Sequence, residues 1–240
     1  MIDGAAIPIA AVAWRPAYRI IRGQFPPIDL FEDIADPADW PLLIAAEMKT
    51  NPQLMESLGA LDLVPLGRRV SGPGASFLMG PFTHVGPDRP SRFSSGAYGV
   101  LYAGDRFEVA LFETVHRHGR FMARTKEPAG WTSQFRELRL NVAARLHDLR
   151  GGDALYASTL DPTDQSAGRQ FGALLRAARS EGVVYPSRRY KGGECVGLFY
   201  PDRASNAVEA RRLDYHWDGA RVDLVRVSGG DVYRLTEIGR

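Results

Sequence analysis

The run Gly99-Val-Leu-Tyr-Ala103 is too short for a helix and suits a buried strand. A Gly104-Asp105 break follows, and from Arg106 the period changes. Phe107, Ala110, Leu111, Thr114 and Val115 recur at i, i+3, i+4, i+7 and i+8, the stripe of an amphipathic helix. A strand answered at once by a helix that must cover apolar neighbours constrains the chain strongly. It calls for a sheet with a helix laid against it. Asp105 reads as an N-cap, with Glu108 three residues on completing a capping box. At about 100° per residue, Val109, Glu113 and His116 fall on the side away from the stripe. This expects a second helix face carrying a carboxylate and an imidazole. Arg92 in the loop Ser91-Arg-Phe-Ser-Ser95, Tyr102 on the strand and Glu113 on the helix come within reach of one cleft.

The rest of the chain adds strands more than helices. Residues 12–21 predict a strand entered through Pro16 and centred on Tyr18-Arg19. An arginine in an apolar run needs either solvent, as on an edge strand, or a partner. Residues 28–60 read as a small helical insertion, too short for its own core. Asp36-Pro37 starts one piece with Trp40, Leu43, Ile44 and Met48 as its stripe. Asn51-Pro52 starts another through Leu54, Met55 and Leu58. Residues 66–90, rich in glycine and proline, predict loop with a short strand at Ser76–Met79. Trp131–Arg150 alternates as one long strand or two short ones. Pro162–Arg179 predicts a helix with Asp161 as N-cap and Phe171, Leu174, Leu175 and Ala178 as its apolar face, stopped by Gly182. Gly182–Pro186 is a strand with Ser187 just past its end, and Glu194–Tyr200 is another. Val208–Trp217 and Arg221–Val227 pair as a hairpin about Asp218-Gly219. The expected class is α+β, with mixed, mostly antiparallel sheets, in one domain spanning 1–240.

Charge and cysteine usage narrow the function classes. The 240 residues hold 30 Lys+Arg against 28 Asp+Glu, a net charge of +2, which argues against a nucleic-acid binder driven by overall positive charge. The basic residues are almost all arginine, only Lys49, Lys126 and Lys191 being lysine. Codon bias explains that preference, and the planar guanidinium also suits phosphate and carboxylate ligands. A single cysteine, Cys195, excludes an internal disulfide framework and a multi-cysteine zinc site. Within a strand it reads as a buried, inert thiol. No signal peptide is read at the start, and no apolar run is long enough to span a membrane. A cytoplasmic location is expected. No glycine-rich phosphate loop precedes a lysine, and GxGxxG after a first strand and HExxH are both missing. His116 and His118, two apart, do not share a helix face, so no metal is expected.

Singly, each site residue has an ordinary reading. Glu113 could pair with Arg117 at i, i+4, Tyr102 could be core, Arg92 could be surface, and Ser187 could be a turn former. As a set they carry more. Arg92 in SRFSSGAYGVLYAG, Tyr102 before the helix, Glu113 in ALFETVH and Ser187 in VVYPSRRY, with Tyr18-Arg19 upstream, resemble the RES-domain toxins of RES–Xre toxin–antitoxin modules. That family is named for an arginine, a glutamate and a serine. The resemblance covers roughly residues 17–22 and 91–200. The sequence departs from it in a longer gap between Arg19 and Arg92, and in a loop at Arg92 without the GGRWN-like wording of many relatives.

The resemblance implies a mono-ADP-ribosyltransferase-like fold and NAD as substrate. Glu113 would be the catalytic carboxylate. Arg19 and Arg92 would bind the pyrophosphate, with Tyr18 beside them. Tyr102 would stack on the nicotinamide, and Ser187 would bond a ribose or amide group. It implies a toxin that transfers ADP-ribose to a protein, phosphoribosyl pyrophosphate synthetase being a named candidate, or to water or phosphate as an NAD glycohydrolase or phosphorylase. It also implies an Xre-like antitoxin that plugs the cleft. A non-catalytic binding module and a ribonuclease are the rivals.

Overall fold

Strand β3, Thr132–Asp148, is the spine of the molecule, one continuous 17-residue strand. The computed structural model describes residues 7–24, 29–32, 36–47, 58–151 and 154–235. Along β3, Leu138, Leu140, Val142 and Leu146 are almost wholly buried, as the alternating sequence requires. Strand β1, Ile9–Arg22, runs antiparallel to it from Ile9 opposite His147 to Arg22 opposite Phe135. The register shifts between Trp14 and Ala17, around Pro16, whose nitrogen has no proton to give the ladder.

The remaining strands are β2 (Leu101–Gly104), β4 (Gly182–Pro186), β5 (Glu194–Leu198), β6 (Ala204–Trp217), β7 (Val222–Val227) and β8 (Val232–Arg234). Their order is β1-β2-β5-β4-β3-β6-β7-β8, and β1 also pairs with β3. The first five therefore close into a ring, and β6–β8 extend it beyond β3. Among the described strands only β3 and β4 run parallel. The β6–β7 hairpin forms about Asp218-Gly219 as expected, with the Asp218 amide bonded to the Arg221 carbonyl at 3.0 Å. The class is α+β, with a mostly antiparallel sheet.

Helices α1 (Asp29–Glu32), α2 (Trp40–Glu47), α3 (Ala75–Thr83), α4 (Phe107–Met122) and α5 (Ser166–Ala177) cover this sheet. Phe31 and Trp40, with ring centroids 5.2 Å apart, enter the main core beside Leu138 and Leu140. The 28–60 block thus shares the common core. Met48, Leu54 and Met55 lie outside the described residues. Helix α3 replaces the loop and short strand expected at 66–90. Its Ala75, Leu78, Met79 and Phe82 follow helical spacing and are buried, a signal masked by flanking glycines and by Pro81 inside the helix.

Helix α4 begins without the expected capping box. Arg106 holds the cap position with no side-chain cap bond. The Asp105 carboxylate instead accepts from the Glu194 amide at 3.0 Å, tying the end of β2 to the start of β5. A cap is worth about 1 kcal/mol. Burying Phe107 and Leu111, 6% and 0% exposed, contributes roughly 1.5–3 kcal/mol each and outweighs it. Asp161 likewise caps no helix at Pro162. It closes a turn by accepting from the Thr163 and Asp164 amides, and α5 starts only at Ser166. Leu174 is 55% exposed rather than on the buried face, which Gly168, Phe171, Gly172 and Leu175 make up.

His118 lies in the core under α4, packed against Phe121, Phe135 and Tyr215, its Nε2 buried without a partner. Burial, then the charge of Arg22, lowers its pKa to about 4. Between the ordinary value of 6.5 and about 4 the unfolded chain takes up a proton at this site that the native protein refuses. His118 therefore contributes a loss of stability as pH falls through that window. Urea unfolding from pH 7 to 4 is expected to show a shallower decline for His118→Gln than for the parent. Equal slopes would remove His118 from the account. No helix among the described residues is long and apolar enough to cross a membrane.

Candidate functional site

Tyr102 is the hub of the site. Its backbone carbonyl accepts from Arg19 Nη1 at 2.8 Å. Its hydroxyl meets Ser91 Oγ at 2.9 Å and accepts from the Phe93 amide at 3.1 Å. One strand residue thus fixes Arg19 on one side and the Arg92 loop on the other. Its ring lies 6.4 Å from Phe93 and against the space above Gly197. Burial pushes the Tyr102 phenol pKa up, so it stays neutral.

Arg92 is held by the Asp161 carbonyl, 2.9 Å from Nη1, and its guanidinium lies 6.0 Å from the Tyr185 ring centroid. Helix α5 supports that loop from below through two glycines a turn apart. A Cβ on Gly168 would stand 2.6 Å from the Arg92 carbonyl oxygen, and one on Gly172 would stand 2.1 Å from that of Phe93. Only bare backbone lets the helix approach so closely. Gly172→Ala is expected to cost about 1–3 kcal/mol by overpacking, although alanine is the better helix former. Gly119→Ala on α4, where a Cβ meets nothing within 4 Å, is expected to be neutral or stabilising. Urea unfolding of the two variants checks this, and equal effects would refute the close-approach argument. The Gly168-Arg-Gln-Phe-Gly172 spacing is the sequence signal of this bare helix face.

Glu113 makes no ion pair with Arg117 among the described residues. Its Oε1 accepts from Ser187 Oγ at 2.8 Å, with Cys195 Sγ at 3.9 Å. Ser187 Oγ in turn accepts from the amides of Arg189 and Tyr190, each at 3.1 Å. With its lone pairs so engaged, the hydroxyl proton is committed to the carboxylate. The turn carrying Ser187 is closed by its own amide on the Gly193 carbonyl at 2.8 Å, and Tyr190 stacks on Phe112 of α4 at 5.5 Å. Val109 helps seat that helix. Its methyls fill space where a Cβ on Gly104 or Gly193 would come within 2.7 and 2.2 Å. Val109 is thus buried, on the side of the helix away from the apolar stripe.

Cys195 is a buried thiol, its pKa raised by burial and then by Glu113. Tyr185 is raised first by burial too, with Glu113 and Arg92 both acting on it. Arg92 and Glu113 therefore act on the same two groups with opposite sign.

Arg19 does not sit on an edge strand, since β1 lies between β2 and β3. Burial, then Arg117, lowers its pKa to about 10. Its Nε is buried with no hydrogen-bond partner, an orphan donor at the rim of the site. Tyr18, next along the strand, points to the other side of the sheet. It joins the Phe107 cluster, with the Arg139 guanidinium 6.0 Å from its ring centroid. The structure thus gathers Arg19, Arg92, Tyr102, Glu113 and Ser187 and leaves Tyr18 apart. Sequence reasoning missed Arg189, whose Nη2 lies 2.7 Å from His116 Nε2. Nothing in the local period marks a residue two beyond Ser187 as facing α4. Among the described residues no three His, Cys, Asp or Glu side chains are grouped to hold a metal ion.

Comparison with known proteins gives three findings. The chain is 26% identical over 211 residues to an uncharacterized protein y4oC of Sinorhizobium fredii, an alignment covering 87% of this chain and 85% of that protein. It also aligns with the solved M. tuberculosis MbcT–MbcA toxin–antitoxin complex at a TM-score of 0.42 and 11% identity, over 84% of this chain and 86% of that one. The family model described as the RES domain matches residues 67–218, a span that holds Arg92, Tyr102, Glu113 and Ser187. Covering more than half of the sequence, that match makes this chain a member of the RES domain family.

Proposed function

We propose that the protein is the toxin of a toxin–antitoxin pair, and that it cleaves NAD and transfers the ADP-ribosyl group to a cellular protein. The observation that carries this reading is the Ser187–Glu113 bond of 2.8 Å, which fixes one carboxylate in the neighbourhood of Arg92 and Arg189. Breaking the nicotinamide–ribose bond leaves positive charge on the ribose, as in glycoside cleavage. A carboxylate held in place before the charge develops stabilises it without reorganising. With Oε1 engaged by Ser187, Oε2 is the atom for a ribose hydroxyl or the incoming nucleophile, whose proton it can accept. Arg19, with its orphan Nε, and Arg92 suit the pyrophosphate, each as a bidentate fork.

In this reading Tyr102 acts by holding both arginines. Its hydroxyl is spent on the Arg92 loop and one ring face meets Phe93, which leaves the face turned from Phe93 for the nicotinamide. Tyr18 would serve at a distance, through β1. The partner is an Xre-like antitoxin, the setting is the cytoplasm, and phosphoribosyl pyrophosphate synthetase is a candidate acceptor. A protein acceptor is favoured because α2 leaves a large apolar side chain, Leu42, 74% exposed, which a glycohydrolase does not need.

Incubation with NAD labelled in the adenylate half and a cell lysate tests the reading. A labelled protein band that gains the mass of one ADP-ribose is the expected result. Label found only as free ADP-ribose, or as its phosphate ester, would replace transfer by NAD glycohydrolysis or phosphorolysis. Intact NAD together with undiminished growth inhibition would leave a binding module.

A further inference from the structure

Elsewhere in the molecule arginines meet carboxylates: Arg68 with Asp202, Arg150 with Asp148 and Glu194, Arg203 with Glu181. Beside Glu113 they do not. Arg92, Arg120 and Arg189 form no ion pair among the described residues. At 100° per residue, Glu113, His116, Arg117 and Arg120 share one face of α4. Arg189 reaches that face from the turn after β4. Its guanidinium ends on the neutral His116 ring, 2.7 Å away, where other arginines of the fold end on a carboxylate. Its backbone amide is anchored on Ser187 Oγ, so the group is held at this place.

We propose that His116, Arg189, Arg120 and Arg92 form an anion subsite for a phosphate-class oxyanion, next to the Glu113 carboxylate and separate from Arg19. Without an anion the imidazole must be the acceptor, and it is kept so. Burial first, then Arg189, Arg120 and Arg92, lower its pKa to about 4. An oxyanion set among these groups reverses that balance. Arg189 turns its donors to the anion, and the imidazole takes a proton from water and becomes a donor as well. The charged groups facing His116 are then Glu113, Arg117 and Arg120 on its own helix, Arg189 from the turn and Arg92 from the loop. Only the first is negative, so protonation of His116 strengthens binding as pH falls for an anion whose own charge is constant, such as the diphosphate bridge of a dinucleotide. The anion is either a phosphate of the dinucleotide or a phosphate group on a second reactant. The subsite's part in the reaction rests on the NAD reading, whereas its binding of an anion does not.

The test is histidine-detected NMR of the whole protein. Inorganic phosphate, then NAD, is titrated in at constant ionic strength held with chloride, and His116 is assigned from His116→Gln. The expected result is a saturable shift of the His116 signal with phosphate and a rise of its apparent pKa by about one unit or more. Arg189→Gln should weaken binding about tenfold, the loss of a charge-assisted bond, and Arg120→Gln should weaken it less. A response to NAD but not to phosphate supports the subsite with the dinucleotide as source. No response to either ligand in the parent protein, or unchanged binding in both variants, overturns the proposal. Phosphate binding by a protein that leaves NAD intact would sustain the subsite and refute the NAD reading.

Discussion

Glu113→Gln is expected to lower NAD turnover by about a thousandfold, roughly 4 kcal/mol of transition-state stabilisation, while leaving the fold intact. The substitution keeps the shape and keeps an oxygen for the Ser187 hydroxyl, which donates to Oε1 at 2.8 Å in the parent. In the proposed reaction, what it would remove is the negative charge opposite the ribosyl cation and the base for the acceptor's proton. Because Glu113 is in no ion pair among the described residues, its loss strands no cation within bonding distance. The melting temperature should therefore stay within a few degrees. Rate and growth arrest should fall together in a strain lacking the antitoxin. A Glu113→Gln protein within threefold of the parent rate, and equally growth-inhibitory, would remove this carboxylate from the chemistry. Ser187→Ala separates positioning from charge. It frees the carboxylate and leaves it charged, so it should cost about 10–100-fold.

The parts of the site that could be read from the sequence are those set by short-range chemistry. The change of period at Gly104-Asp105 announces a strand and then a helix, and the structure has them at Leu101–Gly104 and Phe107–Met122. A proline ends β4 and leaves Ser187 one residue beyond. Asp218-Gly219 makes its hairpin because both residues suit a tight turn. The failures have a common cause. Asp105 and Asp161 look like caps, yet tertiary partners claim them or they close turns of their own, because a short carboxylate serves whichever amide is nearest. Helix α3 was hidden because Gly and Pro carry a strong local penalty that burial of Leu78, Met79 and Phe82 overrides. The Gly168–Gly172 spacing shows a bare face on α5 without naming the loop that packs there, and the Arg189–His116 contact joins elements far apart in the chain, which no local period encodes. The split of Tyr18 from Arg19 follows from strand alternation alone. Reading the two as one motif obscured it.

The second large effect lies away from the cleft, at Glu137. This carboxylate is fully buried on β3, with Arg139 Nε at 2.8 Å on Oε1 and Arg211 on Oε2. The Arg211 guanidinium also lies 4.2 Å from the Phe107 ring centroid, at the first turn of α4, and that of Arg139 lies 6.0 Å from the Tyr18 centroid. Glu137 thus joins β3 and β6 beneath the helix that carries Glu113. Removing it leaves two guanidiniums, 44% and 26% exposed at Arg139 and Arg211, facing each other, and Arg211 retains Asp231 at 3.6 Å, Tyr233 and the Phe107 ring. Glu137→Ala is expected to cost about 3–5 kcal/mol, from the loss of two charge-assisted bonds of roughly 1.5–3 kcal/mol each and the space left in a packed layer, offset in part by water reaching the partly exposed guanidiniums. For a chain of 240 residues that corresponds to a fall of roughly 6–20 °C in melting temperature. Arg139→Gln, at a position where the side chain is 44% exposed, should cost about 1 kcal/mol or less. The double variant Glu137→Leu with Arg211→Met should recover most of the loss, because an apolar pair of similar volume carries no desolvation penalty. Urea unfolding of the three proteins decides it. If Glu137→Ala loses under 1 kcal/mol, water has entered to solvate the arginines. The carboxylate would then not be what couples β3 and β6 to α4.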